Sequence, residues 1–341
     1  MISVIDKLAT ERMLTREEFK QLLATDEPDL HKRACEAKYK VYGNQIYMRG
    51  LIEFTNYCKQ NCYYCGIRSD NTQVERYRLT KEEILACCQT GYDLDFRTFV
   101  LQGGEDPYFT DDLLAEIIRE IKATYPNCAI TLSIGERSYE SNKYLFNAGA
   151  DRYLLRHETA NAQHYHSLHP PSMSLETRKQ CLYDLKEIGY QVGCGFLVGA
   201  PGQTLDHIVD DFLFIKELNP AMVGIGPFIP HGETPFAQEK AGSLDLVLNA
   251  LAILRLMLPN LLMPATTALG SIDNRGRELG VLAGANVVMP NLSPLDTRSK
   301  YLLYDDKICV DDAPKHCRGC ISRRMQSVGH EIVVTRGDYI A

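Results

Sequence analysis

Short apolar runs alternate with longer stretches of helical periodicity along most of the chain. The runs are apolar on both faces, as in RTFVLQ at residues 97–102 and CGFLVG at residues 194–199, a pattern typical of strands buried in a parallel sheet. We predict strands near residues 47–55, 97–102, 128–134, 151–157, 191–198, 221–226, 260–264 and 285–289. We predict helices between them near residues 80–90, 110–124, 138–148, 174–188, 204–218, 243–258 and 274–283.

The eight strands alternate with helices along the chain, which favours an α/β fold with a closed (β/α)8 barrel of the TIM type. A doubly wound open sheet is the alternative. Residues 1–45 are expected to form a helical extension, in which Thr15 and Glu18 make a capping box. Residues 46–295 are expected to form the barrel, and residues 296–341 an irregular C-terminal extension.

The overall composition is that of a globular protein, with 45% hydrophobic and 24% charged residues. A net charge of −7 without a basic block argues against nucleic acid or an anionic membrane as the main partner. The longest apolar stretch, residues 244–263, is interrupted by polar residues and predicts an amphipathic helix that runs into a strand. The first residues lack the pattern of a signal peptide, so we expect a cytoplasmic protein.

Cysteine is the unusual residue, because there are twelve in the chain and disulfides are not expected in a long cytoplasmic protein. Half of them fall into two tight groups, which favours metal or cluster binding. The two groups are Cys58, Cys62 and Cys65, and Cys309, Cys317 and Cys320. The others are expected to be small core residues: Cys35, Cys87, Cys88, Cys128, Cys181 and Cys194.

The first group has the spacing C-x3-C-x2-C and follows the first predicted strand. Three thiolates in one loop can hold three corners of an iron–sulfur cubane and leave its fourth iron open to a small molecule. Zinc is the alternative, although a structural zinc normally takes four protein ligands.

Polar residues and glycines follow the other predicted strands at the same end, where barrel enzymes carry their active sites. We therefore predict an active site at this rim. Its segments include residues 102–106, 156–158, 199–202, 224–227, 266–267 and 289–291.

The first group, with Tyr64 before the third cysteine, resembles the C-x3-C-x-aromatic-C signature of the radical S-adenosylmethionine superfamily. The resemblance implies a [4Fe–4S] cluster on Cys58, Cys62 and Cys65, and reductive cleavage of S-adenosylmethionine to a 5′-deoxyadenosyl radical. An Arg156–Glu158–Arg178 structural network is the alternative to cofactor contacts there. The cofactor contacts that the resemblance implies are Tyr64, Gln102, Gly103, Gly104, Glu105, Thr131, Arg156, Glu158, Arg178 and Gly224.

Longer phrases, including RGLIEFTNYCKQNCYYCGIRSDN, DRYLLRHETAN, MVGIGPFIPH and GANVVMPN, resemble the family of [FeFe]-hydrogenase maturases. That resemblance implies action on an iron-bound cysteine with carbon monoxide and cyanide ligands, during assembly of the hydrogenase H-cluster. For the methionines of the implied substrate pocket, core filling is the alternative. The pocket would comprise Arg49, Met222, Thr266, Thr267, Met289, Tyr301 and Tyr304.

The second cysteine group resembles an auxiliary site of some maturases, which implies a second cluster, [2Fe–2S] or [4Fe–4S], without a catalytic role. Zinc assisted by His316 and an empty remnant are the alternatives. Four histidines between residues 157 and 169 match no metal-ligand spacing and are expected to be surface or hydrogen-bonded residues. They are His157, His164, His166 and His169.

The resemblance also implies partners: a flavodoxin or ferredoxin as electron donor, and another maturase that supplies the substrate to a monomeric enzyme. The runner-up function is a radical mutase or sulfur-inserting enzyme on a small molecule, of the methylornithine-synthase or biotin-synthase type. A different class is a carrier that delivers iron–sulfur units without turnover. A carrier would not cleave S-adenosylmethionine.

Overall fold

The computed structural model describes residues 3–26 and 28–341, and its elements follow the strand–helix alternation of the sequence. The helices are α1 Val4–Glu11, α2 Arg16–Leu23, α3 Pro28–Tyr42, α4 Lys81–Asp93, α5 Asp111–Thr124, α6 Tyr139–Ala148, α7 Ala162–Leu168, α8 Leu175–Ile188, α9 Leu205–Leu218, α10 Leu244–Met257, α11 Thr267–Ile272, α12 Gly276–Leu282, α13 Leu295–Arg298 and α14 Pro314–Gln326. The strands are β1 Gln45–Met48, β2 Gly50–Thr55, β3 Thr98–Gly103, β4 Ala129–Ser133, β5 Arg152–Leu154, β6 Gln191–Cys194, β7 Leu197–Val198, β8 Met222–Val223, β9 Gly226–Pro227, β10 Val287–Val288 and β11 Glu331–Val333.

The parallel strands close into a ring. Six of them are hydrogen-bonded in the order β2-β3-β4-β5-β6-β8. Parallel bridges from Met222 to Leu262 and from Pro264 to Val287 carry the sheet onward, and β10 pairs with β1, which precedes β2 by one residue. The ring therefore has eight strand positions, and the predicted (β/α)8 barrel is confirmed.

The seventh position is weaker than predicted. Residues 260–264 were expected to form a strand, but in the described chain they make only single bridges. Pro259 and Pro264 bracket the segment, and a proline has no N–H to donate to a neighbouring strand. The backbone N–H of Leu262 still donates to the Ala221 oxygen at 3.0 Å, so the segment remains attached to its neighbour.

The predicted strands at residues 191–198 and 221–226 are each split in two. They pass so close that a Cβ on Gly195 would lie 1.9 Å from the Gly224 oxygen, which requires glycine at position 195. Beyond this contact β7 and β9 form a separate parallel pair.

Helix α10 is more buried than expected of an amphipathic helix. Every residue from Val247 to Met257 is buried, because the helix contacts β9 and α12 of the barrel as well as α1, α2 and α3. The predicted N-terminal helices are present, and the capping box of Thr15 and Glu18 is confirmed. They provide the second apolar surface that an all-round hydrophobic helix needs.

The C-terminal segment was expected to be irregular, and this was wrong, because it contains α13, α14 and β11. The residues of α14 that face the core are Cys317, Ile321 and Met325, which recur every four residues. This helical spacing was available in the sequence, but the charged residues between them obscure it.

The end of the chain covers the amino-terminal mouth of the barrel. Strand β11 pairs with β1, and the chain then passes Arg152, which is fully buried at the start of β5. The Arg152 guanidinium donates to Asp338 Oδ1 at 2.6 Å, to the Arg336 oxygen at 2.8 Å and to Thr98 Oγ1 at 3.1 Å. The last residues are therefore tied to the barrel by a buried charge.

The cysteines outside the two groups match their prediction in five positions, since Cys87, Cys88, Cys128, Cys181 and Cys194 are buried. Cys35 is only half-buried. No helix in the described ranges is both long enough and apolar enough to span a bilayer.

We expect Asp338→Ala to lower the free energy of unfolding by about 2 kcal/mol, because it leaves the buried guanidinium of Arg152 without its anion. Desolvation raises the pKa of Asp338, but the hydrogen bond and charge of Arg152 outweigh it and lower that pKa to about 2. The difference in unfolding free energy between wild type and variant should therefore be at its full value above about pH 4. It should be lost as the pH falls toward 2. Urea unfolding at several pH values measures it.

Glu116→Ala is the control, since this carboxylate is 59% exposed in its ion pair with Lys81. Its effect should stay within about 0.5 kcal/mol. Equal losses in the two variants would show that the contact of Arg152 with Asp338 has no special weight.

Candidate active site

A cavity of about 360 Å³ opens at the carboxyl ends of the barrel strands. Residues from the loop after β2, the ends of β3 and β5, helix α8, the loop after residue 264 and the segment after α13 meet in it. The predicted site residues that line it are Cys58, Cys62, Tyr64, Cys65, Gln102, Gly103, Gly104, Glu105, Arg156, Glu158, Arg178, Thr266, Thr267, Tyr301 and Tyr304.

The donor set of the first cysteine group fits an iron–sulfur cluster. Burial raises the pKa of Cys58, that of Cys62 to about 12, and that of Cys65 above its ordinary value. Such thiols are ionised by iron, which takes the place of the proton. Among the described residues no three Cys, His, Asp or Glu side chains converge as they would on a single ion. A cubane needs wider spacing, because it places each cysteine on a different iron.

The end of β3 is packed directly against the cysteine loop. A Cβ on Gly104 would lie 2.7 Å from the Cβ of Cys58, so only glycine lets the two segments approach. The next backbone N–H, that of Glu105, donates to Cys58 Sγ at 3.4 Å. The Glu105 carboxylate accepts from Gln60 Nε2 at 2.8 Å and from the Glu136 N–H at 3.1 Å, so it joins three loops of the rim.

Glu158 and Arg156 have unused polar capacity beside the cavity. Glu158 adopts a left-handed backbone with φ of 64°, and its Oε2 lies 3.0 Å from Arg156 Nη2. This contact lacks hydrogen-bond geometry and both atoms are buried without a hydrogen bond, a condition that favours a polar ligand. Arg178 instead pairs with Glu136, Nε to Oε1 at 2.5 Å, so the structural network of the alternative exists only in part.

Five predicted contacts lie away from the cavity lining: Arg49, Thr131, Met222, Gly224 and Met289. Arg49 is buried and its Nη1 lies 2.8 Å from Met222 Sδ, while Met289 packs against the apolar cluster that contains Met222. Gly224 faces Gly195, as described above. These residues belong to the barrel wall behind the lining.

The second cysteine group lies beside the cavity wall. Cys309 is half-buried, Cys317 buried and Cys320 exposed. A hydrogen bond from Cys317 and the guanidinium of Arg277 lower the pKa of Cys309 to about 6. The same Arg277 donates to Thr267 Oγ1 at 3.4 Å, so one side chain separates this group from the cavity.

Sequence reasoning missed a buried pair behind Glu158. His157 and Asp211 are both 0% exposed, with His157 Nε2 3.1 Å from Asp211 Oδ1. The same oxygen accepts from the Ala160 N–H at 2.5 Å, so Asp211 holds the chain on both sides of Glu158. The available signal was an aspartate on the apolar face of α9.

A second missed pair lies in the cavity wall. Glu53 Oε1 accepts from Lys307 Nζ at 2.7 Å and its Oε2 from Asn291 Nδ2 at 2.7 Å. Lys307 also donates to the Tyr301 oxygen at 2.9 Å. No sequence pattern relates β2 to a loop 254 residues later, so this contact was not predictable from the chain alone.

The histidines are hydrogen-bonded, as expected. His164 Nε2 lies 3.0 Å from the Pro201 oxygen and His166 Nδ1 2.6 Å from the Ala162 oxygen. His169 contributes to the site indirectly, because its Nε2 lies 3.1 Å from the hydroxyl of Tyr64, the aromatic residue of the cysteine motif.

Comparison with known proteins agrees with this geometry. The Radical SAM superfamily model matches residues 52–215. The chain is 45% identical over 332 residues to the [FeFe] hydrogenase maturase subunit HydE of Thermotoga maritima, covering 96% of this chain and 94% of that protein. It is 29% identical over 319 residues to 3-methylornithine synthase of Methanosarcina acetivorans, covering 87% and 89%. The crystal structure of methylornithine synthase (PylB) superposes with a TM-score of 0.85 at 26% identity and 97% coverage of both chains.

The chain therefore belongs to the radical SAM superfamily, whose members hold a [4Fe–4S] cluster and S-adenosylmethionine. Within it, the similarity extends over nearly the whole length of HydE.

We expect Asp211→Ala to weaken binding of S-adenosylmethionine several-fold, because the loop that carries Glu158 loses its anchor. Burial raises the pKa of Asp211 and lowers that of His157, and both shifts favour the neutral forms of the two side chains. Asp211→Asn retains an uncharged acceptor and should keep both binding and thermal stability. Anaerobic titration calorimetry on the reconstituted protein measures the binding. Wild-type affinity in Asp211→Ala would contradict the anchoring role.

Proposed function

We propose that this chain is a maturase of [FeFe] hydrogenase of the HydE type, acting on an iron-bound cysteine that carries carbon monoxide and cyanide. The observation that carries the proposal is the 45% identity to Thermotoga maritima HydE across 96% of this chain and 94% of that protein. The cavity supports it, since it joins a cysteine loop on one side to threonine hydroxyls and tyrosines on the other.

Cys58, Cys62 and Cys65 would hold the cluster, and Arg156 and Glu158 would bind the polar end of S-adenosylmethionine. When bound, the cluster and S-adenosylmethionine supply the chemistry that defines the superfamily, the one-electron reductive cleavage of S-adenosylmethionine. The chain's own part is to bind both groups in a cavity none of whose lining residues is fully exposed to water. A carboxyl group and a guanidinium side by side match the ammonium and carboxylate of a methionine moiety.

The opposite wall of the cavity would bind the substrate. Thr266 and Thr267 offer hydroxyls. The positively charged guanidinium of Arg277 donates to the Thr267 hydroxyl, and its charge favours anionic ligands such as cyanide. Burial raises the pKa of Tyr304 to about 12 and that of Tyr301 above its ordinary value. Both phenols therefore stay protonated and can donate hydrogen bonds.

The remaining partners follow from this chemistry. We propose a low-potential flavodoxin or ferredoxin as electron donor, a second maturase as the source of the substrate, and a cytoplasmic, monomeric enzyme. We propose residues 46–295 as the catalytic barrel, with residues 1–45 and 296–341 as extensions. Cys309, Cys317 and Cys320 would hold an auxiliary cluster that takes no part in the reaction.

A second candidate, a radical mutase on a small amino acid, is favoured by the TM-score of 0.85 to methylornithine synthase. The Glu53–Lys307 pair also suits it, because a carboxylate and an ammonium can both contact an amino-acid substrate. The two candidates share the cofactor chemistry and differ in the product, which the following assay separates.

We expect purified, reconstituted wild type to restore hydrogen production in an anaerobic maturation extract that lacks its own HydE. Cys62→Ala should restore none and should form no 5′-deoxyadenosine, because the cluster loses a ligand. Cys320→Ala is the matched control and should behave as wild type. No recovery together with normal 5′-deoxyadenosine formation would move the assignment to the amino-acid mutase.

We expect Lys307→Met to raise the apparent KM for the maturation substrate several-fold while substrate-free cleavage of S-adenosylmethionine persists. The ammonium contacts Glu53 and the Tyr301 oxygen on the substrate side of the cavity, far along the chain from the cysteine loop. Measuring the maturation rate and the rate of substrate-free S-adenosylmethionine cleavage in one preparation shows whether the substitution affects only the first. Equal loss of both rates would place Lys307 with the cofactor instead.

A further inference from the structure

All three cysteines of the first group lie in residues 57–66, and both ends of this segment are tied to one side chain. Arg76 Nη1 donates to the Asn56 oxygen at 2.5 Å and to the Ile67 oxygen at 2.8 Å. Its Nη2 donates to the Arg68 oxygen at 2.7 Å and to the Asn71 oxygen at 3.0 Å. One guanidinium thus joins the residue before the cysteine segment to three residues after it.

This guanidinium is not neutralised by a carboxylate. Within residues 3–26 and 28–341, Arg76 makes no ion pair, and it is partly buried. Burial lowers the pKa of Arg76, while the thiolates of Cys58 and Cys65 are the next causes and raise it. All four of its acceptors flank the cysteine segment, so the positive charge of Arg76 lies beside the cysteine loop.

The loop also has contacts that do not involve Arg76, among them the bond from Gln60 to the Glu105 carboxylate described above. Asn71 Nδ2 donates to the Gly66 oxygen at 2.6 Å, and the Ser69 N–H donates to the Gln60 oxygen at 2.8 Å. Both of these bonds end on a residue inside the segment, whereas Arg76 joins the residue before it to residues after it. Closing a loop across a fixed group removes much of its conformational freedom.

We propose that Arg76 is a positioning residue that preforms the three-cysteine loop for its cluster and leaves one uncancelled positive charge beside the thiolates. The inference rests on the superfamily's cluster and not on the proposed substrate. A cluster with three thiolate ligands is anionic, and the charge and hydrogen bonds around such a cluster set its reduction potential. Arg76 therefore acts on both the assembly and the potential of the cluster.

Arginine suits this role and lysine does not. Four carbonyl oxygens around one group require the planar fork of donors that a guanidinium has. The ammonium of Arg76→Lys keeps the charge but has three donors on a flexible stem. Arg76→Gln loses both the fork and the charge, so the two variants separate the two effects.

The first experiment needs no cluster. Amide hydrogen exchange of the metal-free protein is measured for residues 57–71 in wild type, Arg76→Lys, Arg76→Gln and the control Arg97→Gln. Arg97 is also half-buried and donates to two backbone oxygens, those of Tyr92 and Phe96, at the opposite end of β3. Faster exchange in residues 57–71 of both Arg76 variants, with the rest of the barrel unchanged, is the expected result.

The second experiment measures iron and sulfide per chain after anaerobic reconstitution, and the midpoint potential of the cluster by redox titration with electron paramagnetic resonance. Both Arg76 variants should load several-fold less cluster under limiting iron. The potential should become more negative in Arg76→Gln and stay unchanged in Arg76→Lys, because only glutamine removes the charge.

Wild-type exchange and loading in Arg76→Gln would overturn the positioning role. Equal losses in Arg76→Gln and Arg97→Gln would also overturn it, since the effect would then be general destabilisation. An unshifted potential in Arg76→Gln would overturn the electrostatic part. If Arg76→Gln does not fold, Arg76→Lys with its loop-restricted exchange still decides the first question. Failure of the hydrogenase assay alone would leave each of these measurements unaffected.

Discussion

The contact between the first and last strands of the barrel is the constraint on which the site depends. Tyr47 lies opposite Val287 and Leu51 opposite Asn291, residues about 240 positions apart. These pairings convert an open sheet into a ring, so that every strand points its carboxyl end at one cavity. Without them the cysteine loop after β2 and the threonines at the start of α11 would lie toward opposite edges of a sheet.

Buried charges secure the two ends of this ring in different ways. At the amino-terminal mouth, Arg152 is surrounded by acceptors and its role is complete within the chain. At the carboxyl end, Arg156 Nη2 and Glu158 Oε2 are buried atoms whose contact leaves hydrogen-bonding capacity unused. Burying a polar group without full compensation is costly, and proteins tolerate that cost where a ligand completes the set. The contrast distinguishes the structural end from the chemical one.

Periodicity predicted most of the barrel because its strands are buried on both faces, and the cysteine spacing predicted the loop that lines the cavity. Periodicity failed where prolines reduced residues 260–264 to single bridges, and where charged residues hid the buried stripe of α14. The supporting pairs of the site, His157 with Asp211 and Glu53 with Lys307, depend on tertiary proximity. The buried position of Asp211 on the apolar face of α9 indicates that it needs a partner, but no local signal in a single sequence identifies the partner in either pair.

The C-terminal segment links the two ends of the barrel. It contributes Tyr301, Tyr304 and Lys307 to the cavity. The chain then continues through α14 to Asp338, which contacts Arg152 at the amino-terminal mouth. Lys307 and Asp338 are each paired with a barrel residue that is almost fully buried, at opposite mouths. Detaching either end would expose an unpaired charge in the barrel wall. The C-terminal segment thus completes the cavity at one end of the barrel and covers the amino-terminal mouth at the other. The barrel strands hold it in place at both ends.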